Sequence, residues 1–264
     1  MKSQIKIAFF DIDGTLASNT DMTKSIDDRI PASTKLAIKK LKENGIIPMI
    51  ATGRGKKSIA DIVEILEMDS YISANGLSVT HEGEEVFKRI LTLDQITSVL
   101  DDIIDIEDIA IMLETTEGNV VIKVSDNMRK RLKTKEEAIG YDIDKIKQYE
   151  TYEIAVLGED VKNKISLSSK ELKAKMVGPI IINIIPKEVS KATGIEKVLE
   201  IFNFDKTEAI VFGDEENDLE MFGAVSHSVA MGNAVNDLKA IATHITDTVD
   251  NDGIYKACEH FGLL

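Results

Sequence analysis

Two aspartates, Asp11 and Asp13, lie two residues apart directly after an apolar run at residues 5–10. Such a run, rich in Ile and Phe, is typical of a strand that is buried on both faces. In open α/β sheets, ligands bind beyond the carboxyl ends of the strands, so both carboxylates fall where chemistry usually occurs. Two neighbouring carboxylates repel each other unless a cation compensates them. Mg²⁺ meets that need, because it is a hard cation that prefers oxygen ligands.

Gly14 and Thr15 follow the two aspartates directly. Gly14 can adopt the backbone conformation of a tight turn, and the Thr15 hydroxyl can donate a hydrogen bond to an anion. Further polar residues follow other apolar runs or begin a helical stretch. They are Thr52, Gly53 and Arg54 after the second run, Asn75 in a turn with Gly76, Lys191 at the start of a helical stretch, and Asp214, Asn217 and Asp218 after the run at 208–213.

Each of these residues also has an ordinary structural explanation. A strand-to-helix turn explains residues 52–54, and a simple turn explains Asn75. A helix cap explains Asp214 and Asp218, while Lys191 alone is typical of a solvated helix start. The residues nevertheless recur in order at the ends of successive elements, so the whole set indicates a site.

The elements that must position these residues alternate regularly at the start of the chain. Apolar runs at 5–10, 46–52 and 71–76 predict strands, and amphipathic stretches at 33–44 and 58–68 predict helices. This alternation is typical of an α/β fold with a Rossmann-like, doubly wound parallel sheet.

The alternation is interrupted and then resumes. The middle section predicts strands at 84–91, 109–113, 119–124, 152–157 and 178–186, with helices at 94–104 and about 160–175. The alternating pattern returns with a helix at 191–202, a strand at 208–213, a helix from about 217 and short strands near 228–231 and 243–245. The sequence therefore predicts a core of residues 1–82 and 188–264, interrupted by an inserted α+β domain at 83–187.

The ordered polar residues resemble the four motifs of the haloacid dehalogenase-like hydrolase superfamily. Residues 10–16, FDIDGTL, are similar to the first motif, and residues 51–54, ATGR, to the second. The segment 186–194, PKEVSKATG, resembles the third, and 213–218, GDEEND, the fourth.

Finer features resemble the Cof-type phosphatases of that superfamily, which carry an α+β cap domain of the C2B kind. These features are Asn75-Gly76, the large insert between the second and third motifs, and residues 231–234, MGNA. The third motif departs from the subgroup at Ala192, where glycine is typical.

The resemblance implies a role for each residue of the motifs. Asp11 is the nucleophile that forms an aspartyl-phosphate, and Asp13 protonates the leaving oxygen and then deprotonates water. Thr52 and Lys191 hold oxygens of the transferring phosphoryl group. Phosphate or substrate contacts are implied for Gly14, Gly53, Arg54, Asn75 and Asn217.

The resemblance also implies a magnesium site. Mg²⁺ is expected to bind Asp11, Asp214 and the backbone carbonyl of Asp13. Asp218 is expected to position a metal-bound water or Lys191.

The expected function is a Mg²⁺-dependent phosphatase acting on a small phosphorylated metabolite, either a sugar phosphate or a phosphorylated cofactor. A phosphomutase on the same scaffold and a phospho-ligand sensor without catalysis remain open alternatives. A dehalogenase is disfavoured, because it has no leaving alkoxide for Asp13 to protonate.

Composition limits the partners and the location. The formal net charge of −14 argues against nucleic-acid binding, which needs a basic surface. No apolar run is long enough to span a bilayer, and the apolar stretch near residue 5 is expected to form a buried strand rather than a signal peptide. Cys258 is the only cysteine, so an internal disulfide is excluded and a cytoplasmic location is expected. The sequence leaves the oligomeric state open.

Overall fold

The structure, a computed structural model, describes residues 5–264 of the chain. The described chain divides into two compact units. The core unit consists of the residues up to Lys88 and from Ser190 onward, and the inserted unit consists of Arg89–Val189. The unit boundaries thus fall C-terminal to the predicted domain boundaries at 83 and 187.

The strands of the described chain are numbered in chain order. They are β1 (Ile7–Phe10), β2 (Ile47–Ala51), β3 (Tyr71–Ser73), β4 (Ser78–His81), β5 (Glu84–Lys88), β6 (Ile109–Thr115), β7 (Gly118–Val124), β8 (Thr151–Gly158), β9 (Leu172–Gly178), β10 (Ile181–Pro186), β11 (Ala209–Gly213), β12 (His227–Ala230) and β13 (His244–Ile245).

The α-helices are numbered in the same way. They are α1 (Ile26–Arg29), α2 (Ala32–Glu43), α3 (Ala60–Leu66), α4 (Leu93–Ile103), α5 (Asp126–Leu132), α6 (Ile143–Ile146), α7 (Val161–Lys164), α8 (Lys191–Phe202), α9 (Leu219–Ala224), α10 (Asn236–Ile241) and α11 (Gly253–His260). Short 3-10 turns lie at Lys56–Ile59, Ala74–Gly76, Lys206–Glu208, Glu216–Asp218 and Val249–Asn251. Within residues 5–264, the helices are all too short or too polar to cross a membrane.

The core unit is built on an eight-stranded sheet in the order β13-β12-β11-β1-β2-β3-β4-β5. The strands from β13 to β3 pair in parallel, and β4 and β5 add an antiparallel edge. The predicted α/β class with a parallel core sheet is therefore confirmed. Strand β1 lies between β11 and β2, so the chain leaves the middle of the sheet directly at Asp11.

Side chains of β1 alternate between two apolar layers. Ala8 and Phe10 pack on one side of the sheet with residues of α2, α3 and α11. Ile7 and Phe9 pack on the other side with residues of α8, α9 and α10. Because successive strand residues point to opposite faces, helices must cover both faces of the sheet. This double cover explains why β1 reads as an unbroken apolar run.

One predicted strand of the insert belongs to the core sheet instead. Strand β5, which the sequence assigns to the inserted domain, pairs with β4 and forms the edge of the core sheet. Glu82 and Gly83 connect the two strands with φ values of 49° and 79°. Two consecutive residues at positive φ make the tight hairpin that suits the twist of paired strands.

The inserted unit contains an antiparallel sheet in the order β7-β6-β8-β10-β9. Helix α4 packs on one face with the isoleucines, leucines and valines of β6, β8 and β10. The helix predicted at about 160–175 is wrong beyond the single turn of α7, because residues 172–178 form strand β9. The lysine-rich stretch suits a helix by propensity, but its pairing with β10 overrides that preference.

Candidate active site

The loop after β1 is wound tightly enough to turn its side chains to one place. Asp11 still donates its backbone N–H to Phe212 of β11, at 3.1 Å. The chain then folds back, because Leu16 and Ala17 donate to the carbonyls of Asp11 and Ile12 at 3.2 and 2.8 Å. Gly14 adopts a φ of +82° within this turn. The loop is thus fixed by backbone hydrogen bonds at the carboxyl end of the central strand.

Lys191 lies buried between two carboxylates. Its Nζ donates to Asp11 Oδ1 at 2.5 Å and to Asp218 Oδ1 at 2.8 Å, and its side chain is 1% exposed. Burial alone would lower the pKa of Lys191, but the charges of Asp11 and Asp218 hold this pKa above its ordinary value. A solvated lysine at a helix start is therefore the wrong interpretation of this residue.

Helix α8 places Lys191 at this position. Ser190 caps the helix by accepting a hydrogen bond from Thr193 N–H, which makes Lys191 the first helical residue. Gly76 packs so closely against the Ser190 carbonyl that a side chain at residue 76 would overlap it. Residues Ala74, Asn75 and Gly76 all have positive φ, between 47° and 99°. This strained turn after β3 therefore supports the start of α8.

Three buried carboxylates form an acidic cluster, consisting of Asp11, Asp214 and Asp218. One oxygen from each lies within 4.8 Å of the others. Burial raises the pKa of Asp214 to about 8, and the nearby charges of Asp11 and Asp218 add to that rise. Burial also raises the pKa of Asp11 to about 6, although Lys191 opposes the shift. One lysine does not balance three buried acids, so the cluster fits a divalent cation with oxygen ligands.

Asp218 differs from the other two acids in its hydrogen-bond partners. Asp218 Oδ1 accepts from Lys191, and its Oδ2 accepts from the backbone N–H groups of Asp214 and Glu215 at 2.9 and 3.1 Å. Asp218 therefore ties the loop after β11 to Lys191. This leaves Asp11 and Asp214 better placed than Asp218 to contact a metal ion directly.

Asp214 is held from the other side by two neutral donors. Thr15 Oγ1 donates to its Oδ1 at 2.9 Å. The anion that accepts a hydrogen bond from the Thr15 hydroxyl is therefore this carboxylate. Asn233 Nδ2 contacts its Oδ2 at 3.3 Å and also donates to the Gly14 carbonyl at 2.8 Å. Asn233 in turn accepts a hydrogen bond from Val249 N–H. The loops after β1, β11 and β12 are thereby joined around one carboxylate.

The Asp13 side chain lies outside the acidic cluster and pairs with two arginines. Arg29 Nη2 donates to Asp13 Oδ1 at 3.0 Å. Arg54 Nε and Nη2 donate to Asp13 Oδ2 at 3.1 and 2.5 Å. The sequence predicts repulsion between the Asp13 carboxylate and that of Asp11. The structure instead gives it two cationic partners.

The second motif forms a compact turn directly after β2. Thr52 is buried, and its Oγ1 accepts from Arg54 N–H at 3.1 Å. Asn75 donates its backbone N–H to the Thr52 carbonyl at 3.1 Å. A Cβ at Gly53 would lie 2.9 Å from Asn75 Oδ1, so a side chain at residue 53 would displace the Asn75 side chain. Asn217, by contrast, is exposed at the 3-10 turn after Asp214.

Two residues of the site were not predicted from the sequence. Arg29 stands in a charged stretch without periodicity, and nothing in that stretch distinguishes it from Asp27 or Asp28. Asn233 has no predicted role of its own, since the sequence only shows it within residues 231–234, which resemble the Cof-type phosphatases. Both side chains donate hydrogen bonds to the loop after β1 from other parts of the chain, so only the folded chain identifies their partners.

Gly14 provides a direct test of the loop geometry. Its φ is positive, and a Cβ there would overlap Asp214 Oδ2. Gly14→Ala should therefore displace the Asp214 carboxylate and lower kcat by about 10²-fold, as expected for a displacement of about 1 Å. Gly45→Ala is the matched control, because Gly45 has a similar φ of +76° and no atom within 4 Å of the added Cβ.

The control should lower the free energy of unfolding by about 1–2 kcal/mol, the cost of a Cβ at positive φ, and leave kcat unchanged. Equal kcat values for the two variants, measured on folded protein, would contradict the proposed arrangement around Asp214.

Comparisons with known proteins agree with this geometry. The model of the haloacid dehalogenase-like hydrolases matches residues 8–258. YkrA of Bacillus subtilis (strain 168), named a phosphatase, is 32% identical over 272 residues, which cover 98% of each chain. YcsE of the same organism, named a 5-amino-6-(5-phospho-D-ribitylamino)uracil phosphatase, is 26% identical over 98% of this chain and 96% of its own.

Solved structures give the same assignment. BT1666 of Bacteroides thetaiotaomicron, described as a phosphatase of the same superfamily, superposes with a TM-score of 0.82 at 28% identity, covering 98% of this chain and 96% of its own. BT4131, described as a subclass IIB sugar phosphatase, has a TM-score of 0.77 at 25% identity, covering 98% and 100%. The chain belongs to the haloacid dehalogenase-like hydrolases, which confirms the resemblance of its four motifs.

Proposed function

We propose that the protein is a Mg²⁺-dependent phosphatase that hydrolyses a small phosphorylated metabolite through an aspartyl-phosphate on Asp11. The observation that carries the proposal is the buried Asp11 carboxylate, which is held by Lys191 and adjoins Asp214. A carboxylate in this position has a fixed orientation and a cationic neighbour, as a nucleophile attacking a phosphate dianion requires.

In the first step, a carboxylate oxygen of Asp11 attacks phosphorus. A bond forms between that oxygen and phosphorus, while the bond from phosphorus to the leaving oxygen breaks. Asp13 donates a proton to the leaving oxygen, so the alcohol departs neutral. The Lys191 ammonium offsets the negative charge of both the nucleophile and the phosphoryl group.

In the second step, a water molecule attacks phosphorus and the bond to Asp11 breaks. Asp13 takes a proton from that water, which restores the proton lost in the first step. Inorganic phosphate leaves and Asp11 returns to its starting form. The same carboxyl group thus serves as acid and then as base.

The acidic cluster fits Mg²⁺ by the chemistry of its donors. Asp11 and Asp214 would hold the ion, together with the Asp13 backbone carbonyl, and Asp218 would orient Lys191. When bound, Mg²⁺ supplies charge that stabilises the phosphoryl oxygens during transfer. The raised pKa values of Asp11 and Asp214 support this assignment, because they mark negative charge that the described residues leave uncompensated.

The remaining motif residues suit contacts with the phosphoryl group. The Thr52 hydroxyl and the Lys191 ammonium would bind its oxygens, as would backbone N–H groups near Gly14 and Gly53. Arg54 is 32% exposed in its side chain and can reach a ligand from the turn after β2. Asn75 and Asn217 are proposed to contact substrate beyond the transferred group.

The inserted unit supplies none of these chemical groups, so we assign it to selection of the leaving group. The sheet face opposite α4 carries both polar side chains and a small apolar cluster that includes Ala110, Met128 and Leu157. Glu114 on β6 and Glu153 on β8 stand opposite each other, and Asn183 on β10 donates to Glu153. Burial raises the pKa of Glu114, although the hydrogen bond with Glu153 opposes that rise. Such a face suits a hydroxyl-rich leaving group, and YcsE and BT4131 are named for ribityl and sugar phosphates.

A phosphate-release screen tests the proposed function. The purified protein is incubated with sugar phosphates, polyol phosphates and phosphorylated cofactors, with Mg²⁺ and after exhaustive chelation. Release of phosphate from at least one of these monoesters, restored by Mg²⁺ after chelation, is the expected result. Full activity without a divalent cation would rule out the metal site. Transfer of phosphate to an added sugar phosphate, in place of its release, would identify a phosphomutase.

A further inference from the structure

Asp13 is held by two arginines that differ in how firmly they are fixed. Arg29 binds Oδ1 and Arg54 binds Oδ2, so both oxygens of the proposed acid and base accept hydrogen bonds from cations. Oδ2 accepts two hydrogen bonds from Arg54, which occupy both of its lone-pair sites, whereas Oδ1 accepts one from Arg29. Arg54 must therefore release Oδ2 before that oxygen can transfer a proton.

Arg29 is anchored in the interior of the core unit. Its side chain is 7% exposed, and its Nε donates to the Ser18 carbonyl at 2.7 Å. Ser18 N–H in turn donates to the Arg29 carbonyl at 2.8 Å. Within residues 5–264, Asp13 is its ion-pair partner, and no second carboxylate shares it. Releasing Asp13 would leave a buried guanidinium without a counter-charge, which is costly.

Arg54 is more weakly held. Its side chain is 32% exposed and extends from the turn after β2. Its guanidinium hydrogen bonds, as far as the described chain shows, go to Asp13 Oδ2 alone. A phosphate dianion offers a guanidinium two oxygens in the fork geometry that it prefers. An incoming substrate can therefore take Arg54 from Asp13, whereas it cannot reach Arg29.

We propose that Arg29 is a positioning residue that fixes Asp13 through Oδ1, while Arg54 moves from Oδ2 to the phosphate of the bound substrate. This inference rests on the proposed function and assigns a role to a residue outside the four motifs. The freed Oδ2 takes up a proton from solvent, delivers it to the leaving oxygen and later takes one from the attacking water, which returns to solvent when Arg54 pairs with Oδ2 again. Proton transfer thus begins only when substrate is bound.

Leaving-group dependence separates this role from a structural one. Nitrophenolate departs without being protonated, so the first turnover of p-nitrophenyl phosphate does not need a correctly placed Asp13. An alkyl ester such as glycerol phosphate does need it, because an alkoxide is a poor leaving group. A loss of Arg29 should therefore harm the alkyl ester selectively.

The test measures the first turnover of both esters by rapid quench for Arg29→Gln and Arg29→Lys, with Mg²⁺ present. For Arg29→Gln we expect the alkyl ester to slow by about 10²-fold or more, the size of a lost general acid, with KM little changed. Nitrophenolate release in the first turnover should stay within about threefold of wild type. Lys35→Gln is the matched control. Lys35, on α2, pairs with Asp27, which lies in the same short helix α1 as Arg29, so this substitution should affect neither ester.

A double-mutant cycle with Asp13→Asn decides whether Arg29 acts through Asp13. If it does, Arg29→Gln should add almost nothing in the Asp13→Asn background. Additive losses, or equal slowing of both esters, would overturn the proposal. Arg54→Gln should instead raise KM, and an unchanged KM would overturn its assignment as the mobile partner.

Folding and the parent proposal are controlled separately. Arg29→Lys keeps the buried charge but cannot donate to Ser18 and Asp13 in the same geometry, so it remains informative if Arg29→Gln fails to fold. The amplitude of the first nitrophenolate turnover counts the folded, active protein. If wild type releases no phosphate, the proposed function fails. If wild type is active, Asp13→Asn is impaired and Arg29→Lys equals wild type, only the role of Arg29 fails.

Discussion

Asp11→Asn is expected to abolish turnover while leaving the fold intact. The amide has nearly the shape of the carboxylate and can still accept a hydrogen bond from Lys191 through its oxygen. It cannot attack phosphorus, and it is a poorer ligand for Mg²⁺. We therefore expect kcat to fall by at least about 10³-fold, as for the loss of an enzymatic nucleophile.

The measurement is phosphate release under saturating substrate, with thermal unfolding and circular dichroism as checks of the fold. Asp61→Asn is a suitable control, because Asp61 is exposed on α3 and should tolerate the same change of charge. Activity of Asp11→Asn within tenfold of wild type would disprove the covalent mechanism.

Lys191→Met should have the largest effect on stability. The substitution leaves Asp11 and Asp218 buried beside each other without the cation that both contact. Breaking a buried pair by removing one partner costs about 3–5 kcal/mol of unfolding free energy. Activity should fall as well, because the variant lacks the charge that faces nucleophile and phosphate. Lys197→Met on the same helix α8 is the control, since its side chain is 33% exposed and pairs with Glu200 near the surface.

The stability loss should depend on pH in a defined direction. Burial already raises the pKa of Asp11 to about 6 in the presence of Lys191, and removing Lys191 must raise it further. The folded variant then binds a proton that the unfolded chain releases at its ordinary pKa of 3.8. Relative to wild type, its stability should therefore recover as the pH falls from 7 towards 5. Urea unfolding of Lys191→Met and wild type at both pH values measures this, and a constant difference would contradict the assigned burial of charge.

The chemistry of the site was largely readable from the sequence because its residues follow strand ends. Asp11 comes directly after an apolar run, and the parallel topology brings the ends of β1, β2 and β11 to one edge of the sheet. Lys191 was selected only through the order of the motifs. Its burial between Asp11 and Asp218 depends on the cap at Ser190 and on the packing of Gly76, which spacing alone does not reveal.

The errors in the fold arise where pairing between strands overrides local preference. Strand β9 has the lysine-rich composition of a helix, yet it is held by β10 through an antiparallel ladder. Strand β5 was assigned to the insert because hydrophobic pattern alone does not say which sheet a strand joins. The pairing of Arg29 with Asp13 was missed for a related reason, since an ion pair between two loops leaves no periodic signal.

The stereochemical course at phosphorus tests the central claim most directly. A substrate with an isotopically chiral phosphoryl group is hydrolysed with Mg²⁺ present, and the configuration of the transferred group is determined with an acceptor or labelled water that keeps the phosphorus chiral. Attack by Asp11 followed by attack of water gives two in-line displacements, so the account predicts overall retention of configuration. Inversion would show a single direct attack by water and would contradict the assignment of Asp11 as nucleophile.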